Sequence, residues 1–169
     1  KILKRNSIRV SNVSKIFGLT ALAAFKQGNY YTAQLYTSKA GHFLENILVT
    51  KVEEFQNFLW SDDGFLYYYV SALLAERQEQ YEEALACYDS AETHMKRSSG
   101  SMFFNYVHFA VDKAKLLQKL GRKEEAIEIW KEAREYFSQK GNFLRVRMFE
   151  DLIANGKWEQ PPMPMLMTS

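Results

Sequence analysis

The sequence predicts an all-α protein, a solenoid of about three and a half antiparallel helix pairs. Three observations carry that expectation. A spacing of small residues recurs three times along the chain. Each copy places a turn signal between two stretches of helical periodicity. Of the 169 residues, 47% are apolar and 15% aromatic, enough for a buried core and too many for a disordered chain.

The first copy is Ala21, Gly28, Ala33 and Ala40, with steps of 7, 5 and 7. The second is Ala72, Glu79, Ala84 and Ala91, and the third is Ala114, Gly121, Ala126 and Ala133, with the same steps. The text between agrees: "QGNYYTAQLYTSKA", "QEQYEEALACYDSA" and "LGRKEEAIEIWKEA". An alanine fits where two antiparallel helices cross closely, and a larger side chain would push them apart.

The elements follow in order. Val13, Ile16, Phe17, Thr20, Ala21 and Ala24 form a helical stripe, with apolar positions three and four apart. Gly28 ends this helix, because glycine takes the left-handed conformation at little cost. A second stripe runs through Ala33, Tyr36, Thr37, Ala40, Phe43, Leu44 and Ile47. Leu48, Val52, Phe55 and Leu59 prolong it, so residues 44–60 either extend that helix or form an extra one. Ser61-Asp62-Asp63 offers a capping residue for the next helix. "FLYYYVSALLAERQ" then pairs with "YEEALACYDSAETHM", and "MFFNYVHFAVDKAKLLQKL" with "KEEAIEIWKEAREYF". After the break at Lys140-Gly141-Asn142, "NFLRVRMFEDLIANG" reads as a lone helix, and the proline-rich "KWEQPPMPMLMTS" cannot continue it regularly. The expected pairs are about 13–60, 64–96 and 102–139, with a capping helix at 142–155. Together they make one array over 1–157, followed by an irregular tail over 158–169.

This pattern resembles the tetratricopeptide repeat (TPR) family over roughly residues 13–155. The matching residues are the small ones above, the turn glycines Gly28 and Gly121, and bulky Tyr88 and Trp130 in second helices. The chain departs from the family at Glu79 (a turn glycine there), at Thr20 and Lys113 (apolar there) and at Thr37 (bulky there). The central alanines recur at 51 and 42 residues, against the family's usual ~34. In this it is similar to the longer-helix repeats of kinesin light chains, G-protein regulators and peptide-pheromone-responsive regulators. The resemblance implies a right-handed superhelix whose concave groove, lined by the first helix of each pair, binds a protein or peptide. By repeat alignment the groove residues are Lys15, Leu22, Phe25 and Lys26, then Leu66, Tyr69, Leu73 and Arg77, then His108, Val111, Lys115 and Lys119, and finally Arg147. The chaperone-tail clamp of some family members is missing, since its positions hold Gly18, Leu22, Val70, His108 and Asp112.

Composition narrows the function further. No apolar run reaches the ~18 residues of a membrane span. The single cysteine, Cys87, allows no internal disulfide and favours a reducing, cytoplasmic setting. No secretory signal is present, but the chain begins with Lys1 rather than Met, as an excised fragment or a processed form that has lost a leader would. Residues 1–44 carry Lys1, Lys4, Arg5, Arg9, Lys15, Lys26 and Lys39 and no acid. With a whole-chain charge of +2, residues 45–169 therefore carry −5 (2 − 7).

Catalysis is not expected. There is no Gly-rich phosphate loop, no nucleophile with a matching base and no HExxH pair. The adjacent carboxylates Glu53-Glu54, Asp62-Asp63, Glu82-Glu83 and Glu124-Glu125 point about 100° apart on a helix, which suits helix N-termini rather than acid–base dyads. His42, His94, His108 and Cys87 share no metal-ligand spacing. Met163, Met165 and Met167 could ligate Cu(I), but with no His or Cys beside them they read as an irregular or packed tail. Neither cofactor nor metal nor small-molecule substrate is expected.

The expected function is a non-catalytic scaffold or adaptor. An alternative is the sensor domain of a peptide-responsive bacterial regulator, with its effector upstream of Lys1. A second alternative is nucleic-acid or membrane docking through residues 1–44, which lack one dense basic stripe. At the C-terminal end, Leu144, Met148 and Leu152 are expected to pack on the third pair. Phe143, Phe149 and Ile153 then need a cover, either the tail or a second copy in a two-fold dimer.

Overall fold

A computed structural model describes residues 2–48, 62–97 and 103–156, with side chains placed over 13–45, 64–96 and 106–156. The described residues are all-α. They form α1 (Ile2–Lys26), α2 (Tyr30–Leu48), α3 (Asp62–Arg77), α4 (Tyr81–Arg97), α5 (Phe103–Lys119), α6 (Lys123–Gln139) and α7 (Phe143–Asn155). Helices adjacent in sequence pack in pairs, consistent with a helical repeat. The chain divides into two compact units, residues 1–105 and 106–169. The first helix starts at Ile2 rather than near Val13. Residues 2–12 hold neither glycine nor proline, so nothing ends the helix there. α2 ends at Leu48. Most of the ambiguous 44–60 stretch, the Ser61 cap and the tail 158–169 lie outside the described residues.

All nine repeat alanines are fully buried, at 0% exposure. The four described turns between consecutive helices share one geometry. Gly28, Glu79, Gly121 and Gly141 take φ of 78°, 61°, 78° and 68°. In each, the next residue's N–H donates five residues back: Asn29 to Ala24 (2.9 Å), Gln80 to Ala75 (2.9 Å), Arg122 to Leu117 (2.8 Å) and Asn142 to Phe137 (2.9 Å). The left-handed residue itself donates three back, at 3.0 Å in all four. This is the Schellman arrangement, which satisfies carbonyls that a helix end leaves without donors. Asn29 and Asn142 also cap the helices that follow, accepting from Thr32 N (3.1 Å) and Arg145 N (3.2 Å).

Glu79 is the one non-glycine in the left-handed region among the described residues. An L residue there costs about 1–2 kcal/mol, while glycine loses roughly 0.5–1 kcal/mol more chain entropy on folding. Glu79→Gly should therefore raise stability by about 0.5–1 kcal/mol. A urea-unfolding midpoint that falls instead would show that the turn is not strained by Glu79.

In the first unit, α3 packs against both α1 and α2 as well as against α4. Glycines set the close crossings. A Cβ on Gly18 would lie 2.7 Å from Leu66 Cβ, and one on Gly41 would lie 2.7 Å from the Tyr67 ring. Aromatic rings fill the rest: Phe17 contacts Tyr36 (5.7 Å) and Phe43 (5.6 Å), and Tyr69 contacts Phe65 (5.5 Å) and Tyr88 (6.3 Å). The Tyr88 hydroxyl donates to Glu76 Oε2 at 3.2 Å. Thr37, at the position where the other two pairs carry Tyr88 and Trp130, is buried and donates to the Ala33 carbonyl at 2.7 Å. Its hydroxyl is satisfied inside its own helix.

Gly18→Ala tests the α1–α3 crossing. Helix propensity alone favours alanine by about 1 kcal/mol. Leu66 Cβ is fixed to the backbone and cannot swing away, so the two helices would have to part. Overpacking of about 1–3 kcal/mol should win, giving a net loss of about 1 kcal/mol. A more stable variant would show that α1 and α3 separate freely.

In the second unit, α5, α6 and α7 surround an aromatic stack. Tyr106 meets Tyr136 (5.0 Å) and Phe137 (5.9 Å), and Phe137 lies nearly parallel to Phe149, at 5.9 Å and 11°. Phe109, Leu116, Leu117, Trp130, Met148 and Leu152 are buried around it. The expected facing of α7 is corrected here. Phe149 points inward, while Leu144 is 76% exposed beside Phe143 at 79%.

Candidate partner-binding surface

The proposed groove residues fall into three groups by burial. On α1, Lys15, Leu22 and Phe25 are half-buried and Lys26 is exposed. Leu22 and Lys26 are four apart, and Phe25 lies between them on the same side, its ring edge-on to Tyr30 at 5.3 Å. This is an apolar strip with cationic ends.

On α3 the arrangement differs. Leu66, Tyr69 and Leu73 are buried. Leu66 faces Gly18 of α1, and Tyr69 sits between Phe65 and Tyr88. These side chains are part of the packed interior, and a partner would meet little of them. Arg77 is exposed, but its guanidinium lies 3.6 Å over the Tyr30 ring. That stacking fixes its orientation and joins the end of α3 to the start of α2. Tyr30 had no place in the sequence reading, since nothing in its spacing shows that an arginine 47 positions later will cover it.

On α5, His108, Lys115 and Lys119 are exposed and Val111 is half-buried. Their steps of 3, 4 and 4 set them along one side of the helix. Arg147 of α7 is exposed. Every exposed member of the proposed set is therefore basic or a histidine.

Three exposed apolar side chains went unnoticed in the sequence. Ile16 is 58% exposed and Leu19 44% on α1, and Leu35 is 42% exposed on α2. Ile16 belongs to the stripe expected to face inward. Phe17 and Ala24 of that stripe do turn in, which rotates Ile16 outward.

Cys87 is half-buried, and burial first, then nearby Glu83, push its thiol pKa up, the reverse of an activated nucleophile. Glu82 and Glu83 lie in the first turn of α4, and Glu124 and Glu125 in that of α6. Arg122 donates to both Glu125 oxygens at 2.6 Å and holds that exposed carboxyl below its ordinary pKa. Among the described residues, no three His, Cys, Asp or Glu side chains gather as a metal site would need. Met163, Met165 and Met167 lie outside those residues. No described helix is long and apolar enough to cross a membrane.

These features define an all-helical protein whose seven described helices pack in sequential pairs. No family model, curated protein or solved structure matches the chain.

Proposed function

We propose that the chain is a non-catalytic protein- or peptide-binding module of the TPR-like, superhelical kind, acting as a scaffold or adaptor through the first-helix side of its pairs. The supporting observation is the thrice-repeated alanine spacing, with all nine alanines fully buried and each pair closed by the same left-handed turn. That regularity builds a framework, and the variable first-helix side chains remain to make contacts. Burial reduces the working set to Lys15, Leu22, Phe25, Lys26 and Arg77 in the first unit, and to His108, Val111, Lys115, Lys119 and Arg147 in the second.

The test uses peptides selected from a displayed library on the folded protein. Lys115→Glu with Lys119→Glu reverses two exposed charges and should leave helical circular dichroism unchanged. Affinity for the selected peptides should fall roughly tenfold or more. If no peptide is enriched over an unrelated helical protein, or if the charge reversal leaves affinity intact, the reading fails.

The 51- and 42-residue spacings support a second reading, the sensor half of a peptide-responsive regulator. It differs in its ligand, a short free peptide bound without a larger partner. Calorimetry with the shortest enriched peptides separates the two, because a sensor retains affinity at lengths of a few residues and a scaffold does not.

A further inference from the structure

The first two repeat copies are 51 positions apart, so each residue of α1 has an equivalent on α3. Lys15, Ile16 and Leu19 stand where α3 has Leu66, Tyr67 and Val70. On α3 this face meets the pair before it. Leu66 lies against Gly18 of α1, and Tyr67 against Gly41 of α2. Val70, four positions beyond Leu66 and three beyond Tyr67, shares their side and is fully buried. On α1 the same face is open. Ile16 is 58% exposed and Leu19 44%, and Ala23, one turn beyond Leu19, is exposed. A small residue there leaves room for a second helix to approach closely.

Charge bounds this face at both ends. Lys15, Leu19, Leu22 and Lys26 follow one another at steps of 4, 3 and 4, a single stripe along the helix. The two lysines are eleven positions apart, about 16 Å at 1.5 Å per residue. Residues 1–44 contain no Asp or Glu, so α1, and α2 as far as Leu44, present charge of one sign.

Building on the protein-binding reading above, we propose that this face of α1 docks an amphipathic helix of another protein, with acidic side chains at both ends of a short apolar stripe. The helical form follows from the equivalence with α3, whose matching face packs on helices. The acidic ends follow from Lys15 and Lys26, since opposite charge across an interface fixes register and speeds encounter. An apolar stripe laid along a complementary helical surface is a common mode of peptide recognition. The matching helix carries an acid, two bulky apolar residues and a second acid at steps of 4, 3 and 4. That order reads the same in both directions, so parallel and antiparallel docking are both served.

A second copy of the chain fits less well. The acid-rich helices α4 and α6 expose no large apolar side chain among the described residues. α7 does expose Phe143 and Leu144, but Arg147 stands one turn beyond them, exposed. Two α1 faces brought together would set lysines against lysines.

The probe is an alanine-based helical peptide with Glu, Leu, Leu and Glu at steps of 4, 3 and 4, titrated against the full chain by fluorescence anisotropy. It should bind at least about tenfold more tightly than the same peptide with both glutamates changed to lysine. Leu19→Ser should weaken it about tenfold. Lys26→Glu should also weaken it and should restore binding of one of the two peptides that carry a single Glu→Lys change, a swap that a merely structural role for Lys26 would not give. Unchanged helical circular dichroism checks the fold of both variants. Absence of binding to wild type, or equal binding to Leu19→Ser, would overturn the proposal. If library peptides sensitive to Lys115→Glu with Lys119→Glu are still found, only this face is misassigned; if none is found, the broader binding reading fails with it. Vesicles of phosphatidylserine and phosphatidylcholine that bind wild type but not Leu19→Ser, with no peptide bound, would overturn it in favour of a membrane surface. Self-association of wild type that Leu19→Ser abolishes would overturn it in favour of a second copy.

Discussion

Replacing Ala126 by glutamate should destabilise the protein by about 3–5 kcal/mol and can unfold residues 106–169 outright. Ala126 has 0% exposure and lies on the inner stripe of α6 with Trp130, Ala133 and Phe137. A glutamate there must drive the crossing helix away or bury a carboxylate without water. Domains of this size hold only about 5–15 kcal/mol in total, so the loss is a large share. In a thermal melt it corresponds to a drop of 10 °C or more, at roughly 4–8 °C per kcal/mol. The control is Ser138→Glu on the exposed side of the same helix, which should melt within a degree or two of wild type. If Ala126→Glu also melts there, Ala126 is not at a close crossing, and the repeat spacing loses its physical meaning.

How far the fold was legible follows from what each signal depends on. The alanine spacing depends only on steric room at a crossing, a local requirement written directly into residue type. It located the helix pairs and set Glu79 at a turn position, and that turn is left-handed although the residue itself argues against it. Facing was harder. Helical periodicity shows that a stripe exists, but neighbouring stripes differ by one residue and about 100°. Leu144, Met148 and Leu152 were expected to face the third pair, and Phe143, Phe149 and Ile153, which cannot all point the same way, to need a cover. Stacking on Phe137 turns Phe149 inward with Met148 and Leu152 and leaves Leu144 outside with Phe143. The same ambiguity placed Ile16 inside. Repeat alignment also treated first helices as equivalent, although α3 packs against both helices of the pair before it. That contact takes up Leu66, and Tyr69 is enclosed between Phe65 and Tyr88. Neither fact can be read from a stretch of sequence alone. What remained visible in the sequence was the basic set on the first helices, because charged side chains stay in water wherever the helix turns.

Tyr69→Ala should cost about 3–5 kcal/mol of stability, and this separates interior from surface within the proposed binding set. Tyr69 is fully buried, with ring centroids 5.5 Å from Phe65 and 6.3 Å from Tyr88. Truncation removes most of a large side chain and leaves a cavity bounded by two rings that cannot collapse into it. Tyr69→Phe keeps the ring and should cost under about 1.5 kcal/mol. Lys115→Ala and Lys119→Ala change exposed side chains on α5 and should stay within about 0.5 kcal/mol of wild type. Urea unfolding of the four variants checks the order. A Tyr69→Ala midpoint close to wild type would mean that the ring is not enclosed, and Tyr69 would return to the candidate binding surface. A large loss leaves Tyr69 uninformative about binding, since any weaker association in that variant follows from its unfolding. Only the exposed lysines, whose removal spares the fold, can then show whether this side of the helices holds a partner.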